Sequence, residues 1–416
     1  MGKHMTITID NRPLKGTVRA IPSKSEAHRL LICAALSDKK TNITCPQTSK
    51  DIQATADCLC ALGASITYEN GIYTVAPIRQ PVSNAILPCG ESGSTLRFLI
   101  PLVCGLGVSA VFQMEGRLPD RPLSPLKEEL ERNGIRFAKD GNKLCVDGTL
   151  QGHDFSIDAG VSSQFVSGLL FMLTRHGGTL NLTGKVESAA YIDMTVRALQ
   201  KFGAVLQKTE NSFAVEKRIL SANEILRTEG DWSNAAFFLC AGCFGKKEIT
   251  VTGLDFQSAQ GDKKIVEILK QFGARIEIKA DAVTVVASEL HGISIDAAQI
   301  PDLVPVLAVA ACAAKGTTRI YNAQRLRLKE SDRLQTTKDL LCALGADVTI
   351  TEDGLLINGQ KPLHGACVDS ANDHRIAMSA AVAAVLCDTD ITLSGAQAVE
   401  KSYPAFWDDF DKLKGE

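Results

Sequence analysis

Along this chain the hydrophobic and polar positions follow one pattern five times. The segments "LCALGASITYENGIYTV", "LERNGIRFAKDGNKLCV", "LQKFGAVLQKTENSFAV", "LKQFGARIEIKADAVTV" and "LCALGADVTITEDGLLI" each open as the end of an amphipathic helix. A glycine suited to a left-handed C-cap follows, then two apolar runs around a polar turn, as in a strand hairpin. The glycines are Gly63, Gly134, Gly203, Gly273 and Gly345, at spacings of 71, 69, 70 and 72. A further step of 70 reaches Gly415, where the chain stops before any hairpin. Six units of about seventy residues are expected, the last lacking its hairpin. The opening text "TITIDNRPLKGTVRAI" is strand-like and is expected to fill that gap, which brings both termini into one domain.

Each unit also begins alike, with a strand, a polar loop and a helix of small apolar residues. The helix starts are "PSKSEAHRLLICAAL", "CGESGSTLRFLIPLVCG", "GVSSQFVSGLLFML", "GDWSNAAFFLCAG", "IPDLVPVLAVAACAA" and "NDHRIAMSAAVAAV". Lys24, Gly93, Ser162, Asp231, Asp302 and Asp373 hold comparable places in them. A second strand and the amphipathic helix complete a βαβαββ unit, so the fold class is α/β. The last of these helices raises a question, because Asp373, His374 and Arg375 stand at its head although the text beyond is that of a core helix. A helix N-terminus carries unpaired N–H groups and about half a positive charge, which makes it an anion site. Related units packed around pseudo-symmetry axes would point such starts toward a shared region, and the three titratable groups then line a cleft.

Composition narrows the partners. The chain has 416 residues, a net charge of -2 and a pI of about 6.4, so nucleic acid is not an expected partner. Its length suggests two or more domains. The 13 cysteines are scattered and odd in number, which points to a reducing cytoplasm rather than a disulfide framework. Cys58 with Cys60, and Cys240 with Cys243, lie in apolar helical text without a nearby histidine, so they read as packing and no metal is expected. No secretory signal precedes the first strand. The longest apolar runs, Val304–Ala314 and Ile376–Cys387, are too short to span a bilayer.

The loops carry the candidate chemistry. Lys24, Arg29, Arg97, Arg117, Arg121, Lys329, Arg333, Arg375 and Lys401 are cationic positions near the helix starts. Cations concentrated there in an acidic protein suit small, highly charged anions, and arginine suits bidentate binding of carboxylate and phosphate. "SSQ" and "SGST" add neutral donors for a phosphate ester. Asp302 and Glu330 are carboxylates among these cations and are candidates for acid/base work. Plainer readings stand beside each. A loop cation is usually a solvated charge, and Ser162, Ser163, Gln164, Asp231 and Asp302 suit helix caps, Asp231 above all. His374 suits a hydrogen-bonded structural histidine, and "KESDR" a salt-bridged helix start. Recurrence at one repeated position favours the chemical reading.

Ten motifs then fall in one order: "SKSEAHR", "SGSTLR", "GRLPDRP", "SSQF", "SAAYIDMT", "EGDWSNAAFF", "IPDLVPVLAVAA", "RLKESDR", "NDHRIAM" and "EKSYPAFW". In this the chain resembles the 5-enolpyruvylshikimate-3-phosphate synthases, a family of enolpyruvyl transferases, nearly end to end. The resemblance implies two domains, each of three βαβαββ units around buried helices. One would comprise residues 1–22 and 230–416 with both termini, the other residues 23–229, with the active site in the cleft between them. It implies a cytoplasmic enzyme, expected as a monomer. Its substrates would be shikimate 3-phosphate and phosphoenolpyruvate, with no metal or organic cofactor and no membrane partner.

Carried over by motif, Lys24, Ser25 and Arg29 would bind shikimate 3-phosphate, with Lys24 also touching phosphoenolpyruvate. Ser162, Ser163, Gln164, Ser188 and Tyr191 would hold its phosphate and ring, and Lys329 and Asp302 its hydroxyls. Gly93, Arg117, Gln164, Arg333, Arg375 and Lys401 would hold phosphoenolpyruvate, with His374 adjacent. The implied reaction moves the enolpyruvyl group to the 5-hydroxyl and releases phosphate, with Asp302 and Lys24 taking the hydroxyl proton and Glu330 protonating the methylene carbon.

The chain departs from the family pattern at Glu91, where many members have asparagine, and at Ser94, where threonine is usual. Phe98 stands where some members have proline, and His28 where asparagine is common. The runner-up is UDP-N-acetylglucosamine enolpyruvyl transferase, whose reactive cysteine has no counterpart in "EGRLPDRP". An RNA-end-modifying relative fits poorly with the acidic pI and 5% aromatic content. A catalytically dead anion-binding protein fits poorly with Asp302 and Glu330 both present.

Overall fold

The repeating glycines mark where the helices end. In the computed structural model, which describes residues 5–222, 225–245 and 247–414, Gly63, Gly134, Gly203, Gly273 and Gly345 all have positive φ, from 75° to 106°. L-residues avoid that region, which is why a glycine recurs at this point of each unit. Gly415 lies outside the described residues.

The chain forms two compact units, one of Pro22–Thr228 and one of Met1–Ile21 with Glu229–Glu416. The first contains helices α1 (Lys24–Ala35), α2 (Lys50–Ala61), α3 (Gly93–Leu106), α4 (Leu126–Arg132), α5 (Ser163–His176) and α6 (Ala189–Lys201). The second contains α7 (Trp232–Phe244), α8 (Ile265–Phe272), α9 (Val304–Ala313), α10 (Arg333–Ala343), α11 (His374–Ala384) and α12 (Phe406–Lys414). Odd-numbered helices are buried almost throughout, as their all-round small and apolar text requires. Even-numbered ones bury a single face. Packing is closest between α3 and α5, where a Cβ on Gly168 would run into the carbonyl of Arg97.

One sheet shows the scheme of the repeat. Ala85–Gly90 runs parallel to Ala110–Met114, with Leu87 opposite Phe112. Ala110–Met114 pairs antiparallel with Lys143–Gly148, which closes a hairpin with Ile135–Asp140. Alternate residues such as Leu87, Phe112, Leu144 and Val146 are buried, so each sheet packs one face on the helices.

Two features differ from the simple repeat. The gap in the sixth unit is filled by Thr6–Ile9 alone, antiparallel to Ile391–Ser394 in a three-stranded sheet. The second half of the opening text, Gly16–Arg19, does not complete that hairpin but pairs parallel with Ile249–Thr252. Conversely, Leu226–Arg227, which precedes α7, pairs parallel with Thr41–Thr44. The entry strands of the first and fourth repeats are therefore exchanged, because each stays in the unit where the chain last ran. No described helix is long and apolar enough to cross a membrane.

Candidate active site

In Pro22–Thr228 the helix starts are built from hydroxyls. Ser23, Ser92 and Ser162 cap α1, α3 and α5 through their side-chain oxygens. Lys24 opens α1, and its Nζ lies 2.7 Å from Asp51 Oδ2 in the first turn of α2, both side chains largely buried. Arg29, one turn further on, is 2% exposed. It donates to Thr195 Oγ1 at 2.8 Å, to the Ser25 carbonyl at 2.6 Å and to the Tyr191 carbonyl at 2.8 Å. Burial draws the guanidinium down to about 10, and its partners stitch α1 to α6. Ser188 precedes α6 with φ of 53°, a strained value for a non-glycine residue.

The start of α3 meets a second group of cations. Arg97 donates to Gln164 Oε1 at 2.8 Å and to the Pro122 carbonyl at 3.2 Å, while Gln164 Nε2 donates to Ser94 Oγ at 2.9 Å. Ser94, the variant threonine position, thus keeps a working hydroxyl. The Arg121 guanidinium lies against Gly93, where any Cβ would collide with it. Glycine at 93 lets a cation approach the start of the helix, and a guanidinium beside helix N–H groups is a pairing suited to an anion. Arg117 is exposed in the loop before Leu118.

In the unit containing Glu229–Glu416 the corresponding groups form an ion-pair network. Arg333, 1% exposed, donates from Nε to Asp373 Oδ2 at 2.8 Å, from Nη1 to Asp302 Oδ1 at 2.9 Å and from Nη2 to Glu330 Oε2 at 2.6 Å. Arg375 reaches Asp302 Oδ2 at 3.2 Å, the Asp302 carbonyl at 3.1 Å and Ser233 Oγ at 2.9 Å. Lys329 Nζ lies 3.4 Å from Asp302 Oδ1. Asp373 is fully buried, caps α11 through the Arg375 N–H and accepts from Ser331 Oγ. His374 Nδ1 is 3.9 Å from Asp373 Oδ1, and Lys401 Nζ donates to the Asn372 carbonyl at 2.6 Å.

Burial pushes the Asp302 carboxyl up, but Arg375, Lys329 and Arg333 outweigh it and hold the group well below the usual carboxylate range. Burial draws the Lys329 ammonium below its ordinary value against the pull of Asp302. Arg333 is held above its ordinary value, burial being overcome by Asp373, Glu330 and Asp302.

Of the residues picked out by pattern and motif, Asp302, Lys329, Glu330, Arg333 and Arg375 share this network, with His374 and Lys401 at its edge. Ser25, Arg29 and Tyr191 share another set of contacts and Lys24 pairs with Asp51, Gly93 lies against Arg121 and Gln164 bonds to Arg97 and Ser94, while Ser162, Ser163 and Ser188 stand at the starts of α5 and α6. Asp231 is a cap, accepting from the Asn234 N–H at 2.9 Å, whereas Asp302 lies inside the 3-10 turn Pro301–Leu303 and not at its N-cap. The roles carried over by motif left Asp51, Arg97, Arg121 and Asp373 out of the site, although the pattern had picked out Arg97 and Arg121 as loop cations and Asp373 as a cleft-lining group. Only Arg97, Arg121 and Asp373 carried a signal, by standing at helix starts or in the loops beside them.

Comparison with known proteins settles the lineage. Residues 9–410 match the family described as EPSP synthase (3-phosphoshikimate 1-carboxyvinyltransferase). The chain belongs to the EPSP synthase family. It is 42% identical to the 3-phosphoshikimate 1-carboxyvinyltransferase of Clostridium kluyveri, over 99% of this chain and 97% of that one. Identity to the enzyme of the same name from Clostridium novyi is 40%, over 97% and 96%. An EPSP synthase structure from Acinetobacter baumannii aligns with a TM-score of 0.78 at 25% identity, covering 99% of this chain and 98% of that one. The enolpyruvyl transferase NikO from Streptomyces tendae aligns at 0.79 and 19% identity over 99% and 98%, a likeness of fold alone. Both units are thus covered by EPSP synthase relatives, and the two-domain enolpyruvyl transferase fold is that of this chain.

Proposed function

We propose that this protein transfers the enolpyruvyl group of phosphoenolpyruvate to the 5-hydroxyl of shikimate 3-phosphate and releases phosphate, a step of the shikimate pathway. Identity of about 40% along nearly the whole chain to enzymes named for this reaction carries the reading.

The residue roles are those that the resemblance to the EPSP synthases implies. Lys24, Ser25, Arg29, Ser162, Ser163, Gln164, Ser188, Tyr191, Asp302 and Lys329 serve shikimate 3-phosphate, its dianionic ester matching hydroxyl donors and cations. Lys24, Gly93, Arg117, Gln164, Arg333, His374, Arg375 and Lys401 serve phosphoenolpyruvate. The 5-hydroxyl oxygen bonds to C2 of phosphoenolpyruvate while its proton leaves to Asp302 or Lys24. Glu330 gives a proton to C3, which completes a tetrahedral intermediate. C3 then returns a proton, the bond from C2 to the phosphate oxygen breaks, and the enol ether forms. Asp302 is a weak base while three cations hold it. Substrate anions that draw Lys329 and Arg375 away raise its basicity when it is needed.

The test is phosphate release from phosphoenolpyruvate with either acceptor. Shikimate 3-phosphate should support turnover and UDP-N-acetylglucosamine should not. Turnover with the nucleotide sugar, or with neither acceptor, would overturn the assignment.

A further inference from the structure

Behind the start of α3 runs a chain of buried polar side chains. His28 Nδ1 lies 2.7 Å from Thr55 Oγ1, and Thr55 Oγ1 lies 2.6 Å from Thr95 Oγ1. Thr95 Oγ1 donates to Ser92 Oγ at 2.8 Å, and Ser92 Oγ also accepts the Thr95 N–H as the cap of α3. None of the four residues is more than 1% exposed. Each hydroxyl has one proton to give, so the direction is determined. Thr95 donates to Ser92, hence accepts from Thr55, and Thr55 in turn accepts from His28. His28 is therefore the Nδ1–H tautomer. Its Nε2 has no hydrogen-bond partner, so the ring is tethered through Nδ1 alone.

The register of the helices gives the chain a purpose. His28 follows Lys24 by one helical turn, and Thr55 follows Asp51 by one turn, so the bond from His28 to Thr55 lies beneath the ion pair of Lys24 with Asp51. Two rungs join α1 to α2, and Thr95 extends the inner rung to the cap that precedes Gly93. An apolar filling of the same volume would pack these helices without fixing their axial register, whereas hydrogen bonds are directional. We propose that His28, Thr55, Thr95 and Ser92 form a positioning relay that keeps the first turns of α1, α2 and α3 in register. Lys24 and the N–H groups at Gly93 then meet one anion together. The relay rests on the reading of Lys24 and Gly93 as phosphoenolpyruvate groups, and its members touch no substrate.

Thr55→Val removes the middle hydroxyl at nearly constant shape, and Thr55→Ser keeps it. In Thr55→Val the KM for phosphoenolpyruvate, which meets both Lys24 and Gly93, should rise about tenfold, and that for shikimate 3-phosphate, which meets Lys24 alone of the two, by no more than about threefold. Thr55→Ser should restore the KM, and amide hydrogen exchange at residues 91–95 of the ligand-free protein should quicken in Thr55→Val only. Should Thr55→Val fail to fold, Thr95→Ala carries the same measurements. A lowered Tm with both KM values unchanged, or a KM for shikimate 3-phosphate raised as much as that for phosphoenolpyruvate, would overturn the relay. Wild-type protein that releases no phosphate would instead sink the functional reading, and the exchange measurement would still test the relay.

Discussion

The two units hold their charges in opposite ways. In Pro22–Thr228 the candidate groups are largely neutral hydroxyls, an amide and helix N–H groups, with cations such as Arg29, Arg97 and Lys24 held by carbonyls, by Gln164 or by the carboxylate of Asp51. In the other unit, Asp302, Glu330 and Asp373 are interlocked with Lys329, Arg333 and Arg375. A set of neutral donors can receive a dianion without first breaking an ion pair. A saturated network cannot, and every anion that enters must redistribute cations among carboxylates. The first arrangement suits binding and the second suits proton transfer, whose groups must change basicity during turnover.

The comparison breaks most severely at Asp373. Removing a fully buried carboxylate leaves the network one cation in excess and takes away the cap of α11, so Asp373→Ala should destabilise its unit by about 3–5 kcal/mol. Both tryptophans, Trp232 and Trp407, lie in that unit, so fluorescence-detected urea unfolding reads it directly. A loss under about 1 kcal/mol would mean that the network is not what holds the unit together. Glu330→Gln keeps size and one hydrogen bond to Arg333 but removes the proton donor. Turnover should fall at least about a hundredfold with shikimate 3-phosphate binding nearly unchanged. Wild-type turnover in that variant would remove Glu330 from the chemistry.

Arg375→Lys sharpens the contrast. As a cleft arginine it would matter to phosphoenolpyruvate and little to stability, but the structure buries it against Asp302 and Ser233. The expected outcome is a loss of about 1–3 kcal/mol in phosphoenolpyruvate use together with about 1 kcal/mol of stability. Unchanged kinetics with a large drop in Tm would make it a structural ion-pair partner only. The smallest effect concerns pH. Burial, then Lys24 and Arg29, depress the His28 imidazole, so the folded protein resists a proton that the unfolded chain accepts near pH 6.5. The stability it contributes is present above that value and lost as pH falls below it, by about 1 kcal/mol at pH 5.5. Asp302 is depressed as a carboxylate, so its contribution is lost only below about pH 4. Mild acid should therefore weaken Pro22–Thr228 first. Hydrogen exchange that showed both units weakening together at pH 5.5 would contradict this ordering.

Much of the fold was legible in one dimension, and the candidates for the site were named there. Its wiring was not. "RLKESDR" and "NDHR" announced Arg333 and Asp373 as charges at helix starts, yet nothing in either motif shows that the guanidinium lies between three carboxylates. No motif singled out Asp51, in the first turn of α2, and only packing brings it to Lys24. Arg29 looked like a ligand-facing cation, and packing turns its donors onto Thr195 and two carbonyls.

By itself the sequence determined the six repeats, the glycine turns and the positions of the helix starts. Those depend on local periodicity and on backbone preferences that a few neighbouring residues settle. Only the tertiary structure decided that Gly16–Arg19 joins the sheet of a later repeat, and which carboxylate each buried cation meets. Such pairings join residues tens to hundreds of positions apart, and their energies depend on burial and distance, neither of which exists until the units have packed.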